Sequence, residues 1–445
     1  MRHLKITAAL ILAALFMLPY ISYSQFTLDS IANFRPYDQR GINVFETPKQ
    51  FDYPYTGMKV KLGAGFTQQF QGLKHSNTAI NNTGTGANRL YPLTPGFMTA
   101  QADLFLDVQL ADGITLNVSN YMSARHHNEF WVKGGYIQFD KLPFKGEWAK
   151  NIMKVTTIKI GHMEINYGDE HFRRPDGGQT LYSPFMEGNI MDEFATEIGG
   201  EIYVKTNGFI GMLGLTNGMI KGNVDSVYGT TQDPTAKKSP SIYGKLGFDK
   251  QVASNIRVRL TGSLYHNGNS DGSGLTIFGG DRTGSNYQNV MEKGVPGSLP
   301  ASTAVAFSGR FNPGFRNKLT TGMINGFLKV SGFELFGTLE SAKGRNSTET
   351  SNRKASQYAI EGLYRFGSAE KVYIGARYNA VKARLQNYTS DVTVNRFAVA
   401  AGWFLTKNIL LKGEIVNQKY LDFPTTDYRN GGQFKGYVIE AAVGF

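Results

Sequence analysis

The stretch that decides the fold is Gln101-Ala102-Asp103-Leu104-Phe105-Leu106-Asp107-Val108-Gln109-Leu110-Ala111-Asp112-Gly113-Ile114-Thr115-Leu116-Asn117-Val118-Ser119. Ala102, Leu104, Leu106, Val108 and Leu110 alternate with Gln101, Asp103, Phe105, Asp107 and Gln109. Ala111-Asp112-Gly113 then reads as a tight turn, and Ile114, Leu116 and Val118 resume the alternation against Thr115, Asn117 and Ser119. A period of two marks strands with one apolar face. The alternating runs are 10–14 residues long. That exceeds the usual globular strand and suits a tilted membrane crossing.

The same pattern recurs from 58–70 to 433–445 and yields sixteen strands. Their connections alternate in length. A short set contains 111–113, 141–151, 206–207, 250–254, Ser331, 367–370 and 406–407; a long set contains 71–96, 125–128, 165–194, 218–239, 267–319, 344–354, 384–392 and 421–432. An extra alternating piece, 302–312, would break this parity and is placed within the long loop. The expected fold class is therefore all-β: a transmembrane antiparallel up-and-down barrel of about sixteen strands, with short periplasmic turns and long extracellular loops. The last strand places Tyr437, Ile439, Ala441, Val443 and the terminal Phe445 on one face. This resembles the C-terminal signal by which outer-membrane barrels engage their assembly machinery.

Composition agrees. The 445 residues include 52 glycines and no cysteine, with 18% charged and 13% aromatic residues. Zero cysteine excludes disulfides, thiolate metal sites and a cysteine nucleophile. The net charge of +12 is spread too thinly for a nucleic-acid surface. Residues 1–24 read as a secretory signal peptide: Arg2, His3 and Lys5, an apolar run from Ile6 to Leu18, then Ser22-Tyr23-Ser24 at the expected cleavage site. Residues 25–57 form an N-terminal periplasmic segment too short to plug a large barrel, and 58–445 form the barrel. Trp131, Tyr136, Tyr364, Phe366, Trp403 and Phe404, near predicted strand ends, are candidates for aromatic belts at the lipid interfaces.

Sixteen strands leave an aqueous interior. If the apolar face meets lipid, thirteen basic residues line it: Lys59, Lys61, Lys133, Lys159, Lys205, Lys245, Arg257, Arg259, Lys329, Arg365, Arg377, Arg396 and Lys412. The acids on that face are nine: Asp103, Asp107, Glu197, Glu201, Asp249, Glu334, Glu340, Glu361 and Glu414. The balance favours anions mildly. Equally, the bases could simply pair with neighbouring acids. The sharpest register test is Arg257 and Arg259, which alternate with Ile256, Val258 and Leu260; with both arginines facing water, replacing them by alanine is expected to leave folding intact and lower anion preference. The loop 165–194 is the expected constriction, with Asp169, Glu170, His171, Arg173, Arg174, Asp176, Glu187, Asp192 and Glu193. Its competitor is 267–319, with Asp281-Arg282-Thr283-Gly284-Ser285.

Catalytic and metal patterns are not apparent. His126-His127 with Glu129, and His162 with Glu164, are the local clusters, and a pore-facing or interfacial pair explains them better than a metal site. There is no Gly-x-Ser-x-Gly elbow, His-Glu-x-x-His or Gly-x-x-x-x-Gly-Lys. No enzyme activity, cofactor or metal is expected.

The run Lys159-Ile160-Gly161-His162-Met163-Glu164-Ile165-Asn166-Tyr167-Gly168 and the Arg-rich loop after it resemble porins of the phosphate- and polyphosphate-selective type. The segment Phe34 to Glu46, Gly279-Gly280-Asp281-Arg282 and Phe445 resemble porin-like proteins of Bacteroidetes-type bacteria. The resemblance implies a sixteen-stranded, usually trimeric barrel in the outer membrane of a Gram-negative bacterium, passing small anions. That family's arginine ladder does not align here residue by residue, which leaves phosphate itself open. The expected function is passive diffusion of small hydrophilic solutes with a mild anion preference, the partners being outer-membrane lipid and the solutes. The alternative is a barrel scaffold whose long loops, 71–96 and 267–319, bind a surface partner or ligand.

Overall fold

The computed structural model describes residues 31–98, 100–123, 130–144, 146–175, 180–218, 229, 231–232, 234–235, 237–270, 274–281, 284–294 and 309–445. Sixteen long strands form one closed antiparallel sheet. They are β1 (Lys59–Ser76), β2 (Gln101–Ala111), β3 (Ile114–Ser123), β4 (Phe130–Phe139), β5 (Thr156–Glu164), β6 (Thr196–Thr206), β7 (Phe209–Thr216) and β8 (Ser241–Ala253). They continue as β9 (Ile256–Asn267), β10 (Lys318–Val330), β11 (Phe333–Arg345), β12 (Arg353–Phe366), β13 (Val372–Ala383), β14 (Val392–Thr406), β15 (Ile409–Leu421) and β16 (Gln433–Gly444). Each pairs with its chain neighbour, and β1 closes the ring on β16 from Gly65↔Gly444 to Ser76↔Gln433. Closure satisfies every strand edge, which hydrocarbon demands. A two-residue strand, Gly96–Phe97, pairs with β1.

The turns have local causes. Asn207 and Gly208 both take positive φ, 46° and 87°, the type I′ geometry that matches strand twist in a two-residue hairpin. The connection 141–151, expected to be an ordinary turn, carries a helix, α1 (Glu147–Met153). The piece 302–312 lies outside the described residues up to 308, and its remainder forms no strand.

Burial is inverted relative to a soluble protein. Along β12, Arg353, Gln357, Glu361 and Arg365 are buried while Tyr358, Ile360, Tyr364 and Phe366 are exposed. Leu264 and Ile415 are each 68% exposed, whereas Arg259 and Arg396 are 1% exposed. An apolar outer belt around a polar interior is the signature of a transmembrane barrel. Among the described residues no helix could cross a membrane. Tyr364, Phe366 and Trp403 stand on the outer face near the short-turn end, as interfacial aromatics do. Phe404 and Tyr136 differ from that expectation. Phe404 is buried against Tyr373 and Leu410. Tyr136 faces the lumen because the β3–β4 register steps from Ser119↔Gly134 to Asn120↔Val132, making Lys133 the extra residue of a bulge. The bulge reverses the parity below it, so Lys133 and Tyr136 both point inward.

The segment ahead of β1, expected outside the barrel, runs within it. Tyr37 donates to Asp107 of β2 at 2.9 Å, Asn43 donates to Glu334 of β11 at 2.6 Å, and Lys49 donates to the Asp140 carboxylate at 2.9 Å. From residue 31 on it is an irregular strap, with one 3-10 turn at Gln39–Gly41, across the short-turn end of the lumen. The described residues of 165–194 and 274–316 also fold inward. They build an apolar cluster inside the barrel around Phe185, Met186, Ile190, Tyr287 and Phe434.

The outer face carries a direct test. Leu260, exposed between Arg259 and Thr261 on β9, faces hydrocarbon in this register. Leu260→Arg is expected to destabilise the barrel in lipid vesicles by about 2–4 kcal/mol, measured by urea unfolding. Unchanged stability would remove this face from the bilayer.

Candidate functional site

The inward-facing bases fall into two groups. On the wall from β8 to β15 they are neutralised by carboxylates. Arg259 reaches Asp169 at 2.7 Å and Glu46 at 2.8 Å; Lys245 reaches Asp169 at 3.0 Å and Glu46 at 3.2 Å. Arg257 pairs with Asp249 at 2.7 Å, Lys329 with Glu370 at 2.7 Å and Arg365 with Glu334 at 2.9 Å. Arg377 pairs with Glu170 at 3.6 Å, Arg396 with Glu187 at 2.7 Å and Lys412 with Glu440 at 2.9 Å. Several of these acids come from the strap or from the loop 165–194, so the pairs are also what moors those segments. A buried charge needs such a partner because its desolvation cost is otherwise uncompensated.

The loop expected to constrict the lumen crosses it. Asp169 also accepts from Thr261 at 2.6 Å, and its backbone N–H donates to Asn325 at 3.0 Å. Arg173 donates to Glu361, and Arg174 donates to Asp192 at 2.8 Å. Asp169, Glu170, Arg173 and Arg174 are all buried; Asp176 lies outside the described residues. From the competing loop, Asp281 pairs with Lys133 and Ser285 hydrogen-bonds Glu440, while Arg282 and Thr283 lie outside the described residues. The two loops pack on each other: the Tyr287 N–H donates to Glu187 at 3.3 Å, the Phe311 N–H donates to the Ile190 carbonyl at 2.7 Å, and Arg310 pairs with Asp192 at 3.2 Å.

Ionisation of the mooring groups follows their partners. Burial opposes charge on Asp169, but Lys245 and Arg259 outweigh it and hold the carboxyl down at about 2. The same balance holds Glu46 well below the usual carboxylate range. Glu170 is the opposite case: burial, then Glu361, push it up to about 7 against Arg377, Arg173 and Arg174.

These segments leave a cavity of about 230 Å³ against the β2–β6 wall. Lys133, Tyr136, Lys159, Tyr203 and Lys205 line it from the strands. Phe34, Arg35 and Glu46 of the strap and His171 and Phe172 of the loop face them. Lys159 Nζ lies 4.9 Å from the Tyr136 ring centroid and 5.2 Å from that of Tyr203. Lys205 donates to the Thr47 carbonyl at 2.6 Å. Arg35 donates to the carbonyls of Gly41 at 2.6 Å and Phe172 at 2.8 Å; burial lowers its pKa to about 10, which leaves it charged at neutral pH. Among the described residues Arg35, Lys159 and Lys205 have no ion pair. Lys61 lies over the Tyr37 ring at 4.5 Å, and Lys59 shares its face of β1. Sequence parity singled out Lys133, Lys159 and Lys205; it missed Arg35, whose role depends on the strap being inside, and Tyr136, whose direction depends on the bulge.

His162 and Glu164 both line the cavity, with Glu164 4.0 Å from His171. Among the described residues no group of three His, Asp or Glu is placed to hold a metal. His126, His127 and Glu129 lie outside the described residues.

No protein-family model matches the chain, and no curated protein matches it. Solved outer-membrane porins do. The anion-selective porin from Comamonas acidovorans matches with a TM-score of 0.52 and 10% identity, over 87% of this chain and 100% of that one. The outer membrane channel DcaP of Acinetobacter baumannii matches with a TM-score of 0.49 and 11% identity, over 88% of this chain and 99% of that one. At such identity the first likeness is one of fold: the chain is a barrel of the outer-membrane porin type.

Two outcomes follow from the mooring pairs. Arg259 links loop, strap and wall, so Arg259→Ala strips a partner from buried Asp169 and Glu46 and is expected to destabilise the protein by roughly 3–5 kcal/mol. This replaces the sequence-based expectation that removing Arg257 and Arg259 leaves folding intact; the arginines are bound to carboxylates rather than bathed in water. Urea unfolding of the single variants separates the views, because exposed arginines would leave the midpoint unchanged. The second outcome concerns pH. A raised carboxyl stabilises below its ordinary pKa and loses that contribution as pH rises through the folded value, here about 7. Stability is therefore expected to fall between pH 5 and 8, and Glu170→Gln to flatten that fall; a slope unaltered in the variant would contradict the assignment.

Proposed function

We propose that the protein is an outer-membrane porin of a Gram-negative bacterium that lets small hydrophilic solutes diffuse passively, with a mild preference for anions, and that it performs no enzymatic step. The observation that carries the reading is the off-axis cavity whose cations Arg35, Lys159 and Lys205 have no ion pair among the described residues. An uncompensated cation in a narrow aqueous path attracts anions and repels cations. Lys133 joins this set at the outer end, tempered by Asp281 and Asp103. The paired bases, Arg257, Arg259, Lys329, Arg365, Arg377, Arg396 and Lys412, contribute to the lining chiefly by holding loop and strap in place, and Lys59 and Lys61 flank the short-turn mouth. Residues 1–24 act as the export signal.

The resemblance of the Lys159–Gly168 run to phosphate-type porins supports an anion channel assembled as a homotrimer, with phosphate itself left open. Phe445 exchanges backbone hydrogen bonds with Ala64, at 2.9 and 3.1 Å, and is half exposed to the lipid side. That position suits recognition by the barrel-assembly machinery. The scaffold alternative draws support from the inward-packed loops, which fill much of the lumen. The remaining cavity keeps the channel reading ahead of it.

Reversal potentials in a KCl gradient across planar bilayers test the proposal. The wild-type protein is expected to favour chloride, and Lys159→Glu to lower the chloride-to-potassium permeability ratio by about twofold or more. Cation preference in the wild type, or no conductance, would overturn it.

A further inference from the structure

The composition of the cavity wall goes further than its charge. A site for a bare inorganic anion gathers N–H and O–H donors around one point. Here the cavity offers donors as well, but the ammonium of Lys159 is set between two rings. Tyr136 and Tyr203 flank it at 4.9 and 5.2 Å, and Phe34, Phe105 and Phe172 add apolar surface to a lining that is otherwise polar. Phe105 is held in place by stacking on Tyr37, with centroids 4.5 Å apart. The Tyr136 ring belongs to this wall because of the bulge at Lys133. The volume, about 230 Å³, is below the usual range of sites for drug-sized ligands and suits a single small ring.

Resting on the channel reading above, we infer that this cavity is a binding station for a small organic anion, a carboxylate carried on one planar apolar ring, with Lys159 taking the carboxylate and Tyr136, Tyr203 and Phe105 taking the ring. The chemistry divides cleanly. A hydrated chloride or phosphate gains the charge but must leave the rings uncovered or shed water against them. A neutral ring gains the apolar contact and leaves the ammonium without an anion. A ring carboxylate gains both, since aromatic pairs and the ring faces around a cation add to area burial. The acids around the station are themselves engaged: Glu46 is compensated by Arg259 and Lys245, and Glu201, which stands opposite Lys159 on β6, accepts from Tyr203, from Tyr243 at 2.9 Å and from the Asn166 N–H at 2.9 Å.

Benzoate, acetate and benzamide separate these contributions. Calorimetric titration of the full-length protein in detergent needs no conductance. Benzoate is expected to bind at least about tenfold more tightly than acetate, which lacks the ring, and than benzamide, which lacks the charge. In planar bilayers benzoate should interrupt the chloride current at concentrations where acetate and benzamide do not. Lys159→Gln should erase the advantage of benzoate over benzamide, and Tyr136→Leu should reduce the advantage over acetate. Equal binding of benzoate and acetate, or of benzoate and benzamide, by the wild-type protein overturns the inference whether or not the variants fold. A protein that conducts chloride with no benzoate preference would lose this inference and keep the channel. A protein that prefers benzoate tenfold and conducts nothing would keep the station and lose the channel.

Discussion

The constraint on which the structure depends is the width of the barrel. A closed ring of sixteen tilted strands encloses more space than its own side chains can fill. In this protein the surplus is taken up by chain segments drawn inward from both ends. The loop 165–194 and the loop after β9 enter from the long-loop side, and the strap 31–50 enters from the other. Drawing a polar backbone and charged side chains into a lumen requires partners for them. The wall supplies these as bases on alternate strand positions. Arg259 stands at the junction, with Asp169 of the loop on one side and Glu46 of the strap on the other. The inward charges of β8–β15 are thus attachment points first.

This makes the lumen asymmetric. The loop partners follow one another around the wall: Thr321 and Glu340 for Tyr167, Glu361 for Arg173, Asn379 for the Ile190 N–H, and Glu414 for the Met186 N–H. The β2–β6 arc receives fewer of these contacts and keeps the open space. It also carries the cations that nothing in the described loops neutralises. A filled half and an open half are therefore two consequences of one distribution of carboxylates between loops and wall.

Much of the architecture was legible in the sequence, for a specific reason. Lipid and lumen impose opposite demands on successive residues, so each strand writes the boundary condition into its parity. Gln101 to Ser119 carries both strands and their turn, and the structure pairs them from Gln101↔Ser123 to Ala111↔Ile114. The alternation of short and long connections likewise follows from topology alone. What escaped depends on contacts between distant segments or on a break in period. Parity cannot register Lys133 as a bulge, because one extra residue leaves the composition of β4 unchanged while reversing Tyr136. The strap reads as a proline-containing leader, and only its meeting with Arg259, Lys245 and Glu334 places it in the lumen. Arg35 became a cavity residue for that reason alone.

The distinction matters for how charge in such a lumen is reckoned. Summing the wall gives an excess of bases, but most of that sum is cancelled locally by carboxylates at hydrogen-bond distance. A paired buried charge exerts little field a few ångströms away, whereas a cation facing an aqueous cavity between low-dielectric walls exerts a focused one. Arg35, Lys159 and Lys205 therefore outweigh the larger group on the opposite side. The same reasoning explains the rings beside Lys159. Their faces stabilise the ammonium as a cation without contributing a formal negative charge, so the site stays charged and remains open to an anion. A carboxylate in the place of Tyr136 or Tyr203 would hold the ammonium equally well and abolish the field that a passing solute meets.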